Sequence, residues 1–516
     1  MLFAVAPARF CAAQSADATD IGSRRELFVD GALVERLTGK AELRLQQPQA
    51  KGIVMVHDAP WEGSGTGYHS VFRDEKLYRM YYSAWQLKVT PGMVNTGEHP
   101  LFCCYAESKD GINWTKPELG LHEFRGSKAN NIVFVSEKVG KAMSEPGEPS
   151  VFKDENPAAA RDARYKAILP ANYPPVDKRR ALLAFKSPDG LHWSPMSDSP
   201  IITDGAFDSQ NLAFWDSTRN EYRAYWRYFT GGFIDENYWK PEGHRAIRTA
   251  TSKDFLHWEK QADLAYVDSP SEQLYTSQVK PYHRASHLLI GFPTRYIERG
   301  WSDSMRALPE REHREWRAQA SKPSERFGVA ITEGLFMASR DGVNFKRWNE
   351  AFLRPGIERE GTWAYGNQYI GWQVVETESA LEGAPHELSL YATESYWTGN
   401  SSVLRRYTLR LDGFVSVYAP MSGGELVSKP LRFQGRKLAL NFATSAAGSI
   451  QVEIQDMAGH AIPGFAFADC PPLFGDTVER VVTWHEGRNL SGLSGQPVRL
   501  RILLKDADVY AFQFID

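Results

Sequence analysis

Ser108-Lys109-Asp110-Gly111-Ile112-Asn113-Trp114 is a phrase that this chain repeats. It returns as Ser187-Pro188-Asp189-Gly190-Leu191-His192-Trp193, as Ser252-Lys253-Asp254-Phe255-Leu256-His257-Trp258, and as Ser339-Arg340-Asp341-Gly342-Val343-Asn344-Phe345. The copies lie roughly 65 to 87 residues apart, a period of repeated supersecondary units. Each follows a β-like run: Leu101 to Ala106, Ala181 to Phe185, Ala246 to Ala250 and Gly334 to Ala338. Asp-Gly between strands signals a hairpin, because Gly accepts φ > 0 and Asp caps its own turn. One such turn says little. Four in the same strand context predict an all-β chain of radially repeated sheets, a propeller. The aromatic past each turn is placed to pack between neighbouring sheets.

Working outward, each phrase closes a similar set of runs. Blade one reads Tyr68 to Phe72, Leu77 to Tyr82 and Leu101 to Ala106. Blade two reads Pro149 to Phe152, Arg164 to Leu169 and Ala181 to Phe185. Blade three has Asn211 to Trp215, Glu221 to Trp226 and Ala246 to Ala250, and blade four Gln278 to Tyr282, His287 to Phe292 and Gly334 to Ala338. Tyr369 to Val375, Leu388 to Ala392 and Val403 to Leu411 make a fifth. The hairpin Leu27 to Val34 and the strand Leu43 to Leu45 are expected to complete the last blade and close the ring. From Phe414 the phrase stops and short alternating strands follow, the pattern of a β-sandwich. The expected layout is a leader over 1–20, a five-bladed propeller over 21–413 and a β-sandwich accessory domain over 414–516.

Composition narrows the function. A chain of 516 residues favours more than one domain. A net charge of −3 offers no global field for nucleic acid or an anionic membrane. Four cysteines (Cys11, Cys103, Cys104, Cys470) are too few and too scattered for a disulfide framework. Residues 1–20 resemble the back half of a secretory signal, small residues before a cleavage site, so the expected location is secreted or periplasmic. No other stretch reaches the ~20 apolar residues that span a bilayer.

Topology then selects the loops. The Asp-Gly turns fall at one end of the propeller. Three long insertions, Trp85 to Pro100, Phe229 to His244 and Ile297 to Phe327, fall at the other, where a rigid scaffold carries a binding site. The lead-in segments of the inner strands share that face and bring carboxylates and amides: Asp58, Glu62 and His69, then Glu148, then Asp208, Gln210 and Asn211, then Glu272 and Gln278, then Asn367 and Gln368. Converging carboxylates repel and desolvate one another, which raises one pKa and leaves another ionised. An acid and a base acting across a glycosidic bond need that split. Trp226, Arg227, Arg295 and Tyr296 stand on the same rim, where aromatic faces stack on sugars and arginines hold uronate or sulfate.

Over roughly residues 25 to 412 the layout resembles the five-bladed β-propeller glycoside hydrolases, the group of invertases, levanases and arabinanases. The Ser-x-Asp-(Gly)-x-x-aromatic phrase is similar to their blade signature. The resemblance implies acidic residues at the inner strands of the first three blades, serving as base or nucleophile, orienting carboxylate and acid. By position these are Asp58 (or Glu62), Glu148 and Asp208, with Glu272 the next candidate for the acid. The invertase Asn-Asp-Pro-Asn, Arg-Asp-Pro and Glu-Cys signatures are missing.

No His-Glu-x-x-His, Cys-x-x-Cys, P-loop or strand-borne Gly-x-Gly-x-x-Gly occurs. No cofactor is expected to be required and no metal ligand is assigned, although a structural Ca²⁺ on the axis is compatible with the sequence. The charged segment Ser304 to Ala320 reads as a helix broken at Pro309, lying over the site or reaching another subunit. The expected function is a glycoside hydrolase acting on plant or algal poly- and oligosaccharides through paired carboxylates. A non-catalytic glycan-binding propeller and a carbohydrate lyase or phosphorylase are the alternatives.

Overall fold

The computed structural model describes residues 18–174, 176–234, 238–320 and 325–516. The expected leader, as far as residue 17, lies outside them. The chain divides into two compact units: Leu45–Phe414, and residues up to Arg44 together with Val415–Asp516. Among the described residues no helix is long and apolar enough to cross a membrane.

Leu45–Phe414 is a five-bladed β-propeller. Blade one orders Gly67–Asp74, Leu77–Ala84, Phe102–Ser108 and Trp114–Thr115 from the axis outward. Blade two orders Ser150–Lys153, Tyr165–Tyr173, Val176–Ser187 and Ser194–Pro195, and blade three Leu212–Asp216, Glu221–Ile234, Trp239–Ser252 and Trp258–Asp263. Blade four orders Lys280–Tyr282, Ala285–Gly291, Met337–Ser339 and Asn344–Arg347. In blade five Val375–Thr377, Glu387–Glu394 and Val403–Arg410 are completed by Gln49–Val56, which runs antiparallel to Val403–Arg410. The ring is therefore closed by a strand from the start of the unit, which removes a free edge.

The closing strand is not the one expected. Val34–Gly39 pairs with Gly424–Ser428, Thr19–Gly22 with Leu431–Phe433, and Glu26–Leu27 with Pro497–Ile515. The residues before Leu45 thus belong to the second unit, and the boundary expected at residue 21 moves to 45. Strand propensity cannot distinguish two sheets that both lack an edge partner. In that second unit, Lys437–Gln455 and Pro497–Ile515 pair along 19 residues each, with register shifts at Asn441/Phe442 and Thr444/Ser449 that bend the ribbon. Phe433 stacks on Phe514 at 3.7 Å, and Trp484 Nε1 donates to Val452 O at 3.1 Å inside its core.

The repeated phrase joins the blades. In each copy the Ser Oγ accepts from the amide three residues on, and the Asp carboxylate caps the next two amides. A tyrosine of the preceding blade then donates to the turn's glycine carbonyl: Tyr391 to Gly111 at 2.5 Å, Tyr81 to Gly190 at 2.9 Å, and Tyr225 to Gly342 at 2.8 Å. The aromatic past the turn packs edge-on to that same ring: Trp114 on Tyr391, Trp193 on Tyr81, Phe345 on Tyr225. Blade three has Phe255 in place of glycine and holds the turn at φ 72°.

On the axis two glutamines meet. Gln210 Nε2 donates toward Tyr68 O (3.0 Å), Pro149 O (2.8 Å) and Ser70 Oγ (3.1 Å). Its Oε1 accepts from Gln278 Nε2 at 2.7 Å, and the latter nitrogen also donates to Ile370 O at 2.9 Å. One amide pair from blades three and four thus reaches blades one, two and five. Gln210→Leu should remove the amide donor of the Tyr68 carbonyl and leave Pro149 O only the Ser70 hydroxyl, at about 1–3 kcal/mol for an unsatisfied buried group. The expected outcome is a lowered denaturant midpoint with unchanged slope; an unchanged midpoint would show that the pair is dispensable.

Candidate active site

At the lead-in ends of the inner strands a cluster of phenols surrounds Tyr275. Its ring centroid lies 5.6 Å from Tyr369, 6.0 Å from Tyr365 and 6.2 Å from Tyr296. Tyr68 meets Tyr369 at 5.8 Å, and Tyr396 and Trp397 stand against Tyr365. All are aromatic residues at the upper ends of strands or in the loops before them, so convergence of the blades brings them together.

Arginines enter this cluster. The Arg227 guanidinium lies 4.6 Å from the Tyr275 ring and that of Arg245 at 5.4 Å, with Arg245 also 4.5 Å from Tyr296. Arg326 lies over Phe327 and Tyr365. Tyr365 donates its hydroxyl to Tyr275 Oη at 2.9 Å. Burial by itself would raise the Tyr275 pKa. The charges of Arg227, Arg245 and Arg326, with the Tyr365 hydrogen bond, outweigh it and hold this phenol below its ordinary value. Tyr68, Tyr365 and Tyr369 go the other way, pushed well up by burial and by their neighbouring phenols. Tyr275 therefore differs from Tyr68, Tyr365 and Tyr369 in the direction of its shift.

Two of the four proposed catalytic carboxylates stand at this cluster. Asp208 accepts from Arg227 Nη2, and its side chain is 44% exposed. Glu148 is buried, and its charge is among the causes that raise Tyr68, after burial and the phenols Tyr275, Tyr396 and Tyr365. Buried Arg227 has no partner for Nε or Nη1 among the described residues. Tyr296 joins the cluster and donates to Glu298 Oε1 at 2.7 Å.

The other proposed residues are engaged elsewhere. Asp58 is 72% exposed, 3.7 Å from Lys116. Glu62 is buried and saturated, accepting from Tyr82 Oη (2.6 Å), Lys116 Nζ (2.6 Å) and Ala59 N (3.0 Å). Glu272 is held by Arg295 (2.9 Å) and Arg347 (2.9 Å), and Arg295 is shared with Glu333 at 2.6 Å. This four-member ion network fixes Glu272 and Arg295 as blade-four structure. Gln210 and Gln278 form the axial amide pair. Asn211 Nδ2 ties its own loop to Phe207 O and Ser209 O. Trp226 is a core residue whose Nε1 donates to Asp204 O. Asn367 Oδ1 accepts from Tyr396 N, and Gln368 Oε1 from Tyr407 Oη. Among the described residues no group of three or more His, Cys, Asp or Glu side chains is arranged to hold a metal.

Tyr275, Arg245, Arg326 and the phenols Tyr68, Tyr365, Tyr369 and Tyr396 were not among the expected site residues, whereas Tyr296 was. Tyr68, Tyr275, Tyr365 and Tyr369 each stand beside the carboxylates and amides of a lead-in segment. That coincidence in three blades was the available signal.

His69 packs against His57, with Nε2 to Nε2 at 3.1 Å, while His57 Nδ1 faces Ser402 O at 3.1 Å. Burial lowers the His69 pKa to about 3. It also holds His57 well below its ordinary value, helped by His69 and Lys116.

No protein-family model matches this chain, and no curated protein matches it. Solved structures do. An N-acetylgalactosamine deacetylase from F. plautii aligns at 10% identity and TM-score 0.42, over 71% of this chain and 94% of its own. A structure from the GH130 family of mannoside phosphorylases, containing glycoside hydrolases that target β-1,2 mannosidic linkages in Candida mannan, aligns at 11% and 0.38, over 70% and 94%. The RS223 β-xylosidase aligns at 12% and 0.38, over 72% and 98%. Likeness of this size speaks to neither substrate nor reaction.

The histidine pair sets an acid limit. Unfolded imidazoles protonate near pH 6.5, whereas folded His69 does so only near 3. The unfolded state binds more protons throughout that window, so the stabilisation is full above about pH 6.5 and is lost as pH falls, by up to about 1.4 kcal/mol per unit for each histidine. Urea unfolding between pH 7 and 5 should show a shallower loss in His69→Gln than in wild type; equal slopes would remove His69 as the source.

Proposed function

We propose that this protein is a glycoside hydrolase acting on plant or algal poly- and oligosaccharides at the tyrosine-lined end of the propeller. The observation that carries the reading is the meeting of Glu148 and Asp208 with the Tyr275 cluster and Arg227. Asp208, against a guanidinium and open to solvent, is suited to act ionised, as base or nucleophile. Glu148, screened from water, is suited to deliver the proton to the leaving oxygen. Tyr68, the part-exposed member of an otherwise buried phenol cluster, is the ring placed to stack on a sugar. The donors that Arg227 keeps unused favour a substrate with an anionic substituent, a uronate or a sulfate.

One observation favours a second reading. A phenol held below its ordinary pKa by three arginines has the character of a base beside a charge-neutralising group, which suits β-elimination next to a uronate. In that case Tyr275 takes the proton α to the carboxylate and the glycosidic oxygen leaves, so the product carries a new double bond.

Both readings are tested on one panel of aryl glycosides and neutral and acidic oligosaccharides. Hydrolysis predicts reducing sugar without ultraviolet absorbance of an unsaturated uronate, and a fall in kcat of about 10²-fold or more in Glu148→Gln and Asp208→Asn. Elimination predicts that absorbance, with the greatest loss in Tyr275→Phe. Activity indifferent to all three changes would remove this cluster as the site. Glycan binding without turnover of any substrate would identify a binding propeller.

A further inference from the structure

The other end of the axis holds a cavity of ≈ 660 Å³. It lies beyond the Gln210–Gln278 amide pair. Blade four passes Tyr275, then Gln278, then Lys280; blade one passes Tyr68, Ser70 and Arg73. The amide pair thus separates the tyrosine cluster from this cavity.

Most charged groups in its wall already have partners. Lys153 Nζ is 2.6 Å from Asp74 Oδ1, Arg73 Nε donates to Glu75 O at 3.0 Å, and His283 Nε2 meets Glu376 at 2.8 Å. Lys280 differs. Its Nζ stands 5.6 Å from the Trp372 ring, 5.7 Å from Phe214 and 5.8 Å from Phe152. It makes no hydrogen bond or ion pair within the described residues. Two amide atoms of the same wall lack partners: Gln373 Nε2, and Oε1 of Gln278, a residue only 2% exposed. The orientation of Gln278 is fixed by the two bonds of its Nε2, so this oxygen is left as an acceptor. Gln373 sits at φ 77°, a left-handed conformation that a non-glycine residue holds only where its surroundings enforce it. Buried amide atoms without partners are few in native proteins, and each asks for an explanation.

We propose that this cavity is a second ligand site, distinct from the active site, and that it takes a small hydroxycarboxylate such as an aldonic or uronic acid. The chemistry follows from the unused groups. Lys280 and Gln373 offer donors in one wall to a carboxylate, and Gln278 Oε1 requires a donor, which a hydroxyl supplies. Burial holds the Lys280 pKa below its ordinary value although the charges of Glu155, in the same wall, and Asp154 act against it, and an anion bound directly to the ammonium would relieve the remaining cost. The volume is within the range of small-molecule sites and suits a single acidic sugar.

Calorimetric titration of the whole protein with sodium gluconate, and with sorbitol and acetate as controls, tests this. The expected result is one saturable site for gluconate with a Kd of about 1 mM or tighter. Sorbitol, which lacks the carboxylate, and acetate, which lacks the hydroxyls, should each bind about 10-fold more weakly or worse. Lys280→Met keeps the stem among the aromatic rings, Gln373→Leu changes a different wall, and both should weaken gluconate by about 10-fold or more. Absence of saturable binding in the wild type overturns the proposal. So does binding lost in Asp208→Asn but retained in both cavity variants, which would place the ligand in the active site. Equal binding of gluconate and sorbitol by the wild type overturns it without reference to any variant.

Discussion

Five sheets around one axis create a problem that the hydrogen bond between Gln210 and Gln278 solves. The inner strands bring carbonyls of Tyr68, Pro149 and Ile370 to the axis, where no sheet pairs them with Gln210 or Gln278. Buried carbonyls need donors. A glutamine amide carries two hydrogens and an acceptor on a short stem, so two side chains reach Tyr68, Pro149 and Ile370 while bonding to each other. The positive φ of Gln278, 49°, is part of that geometry. The same pair makes the axis a partition, with a phenol cluster on one side and a lysine-containing cavity on the other.

Away from the axis the blades are held by the repeated phrase, and here the sequence was informative. Serine and aspartate close the turn on themselves, and the aromatic beyond it was expected between sheets, where Trp114, Trp193 and Phe345 are found. The partner was not legible. Tyr81, Tyr225 and Tyr391 lie a full blade away from the turns they bond, and nothing local marks a strand tyrosine as a donor to Gly190 rather than a core residue. The closing strand was misread for a related reason. Val34–Gly39 and Gln49–Val56 are both plausible edge strands, and only long-range pairing assigns one to Gly424–Ser428 and the other to Val403–Arg410. Local pattern sets the face a strand presents; it does not set its neighbour.

The candidate site shows the same division. That carboxylates, amides and aromatics gather at the lead-in ends follows from topology, and Glu148 and Asp208 are among them. Which carboxylates remain open to a substrate depends on partners far along the chain. Glu272 is quenched by Arg347, 75 positions on, and Glu62 by Lys116, 54 positions on. The amides also serve the scaffold. Gln210, Gln278, Asn211, Asn367 and Gln368 are polar residues at a funnel, yet each satisfies backbone or side-chain groups of the propeller itself. Where main chains converge without sheet pairing, polar side chains are demanded by structure before ligands are considered.

The count of cations against anions separates the remaining groups. A carboxylate between two guanidiniums, as Glu272 is, has its oxygens committed to them. Asp208 has one guanidinium and water on its other side, so its charge remains available to a substrate. Around Tyr275 the balance is reversed. Three arginines stand around a phenol; of the two carboxylates at the cluster, Asp208 accepts from Arg227 and faces outward, and Glu148 is buried. An excess of positive charge inside a desolvated aromatic wall is costly unless something negative is brought to it. An ionised Tyr275 would offset that excess from within the wall, and the same three charges are what lower its pKa.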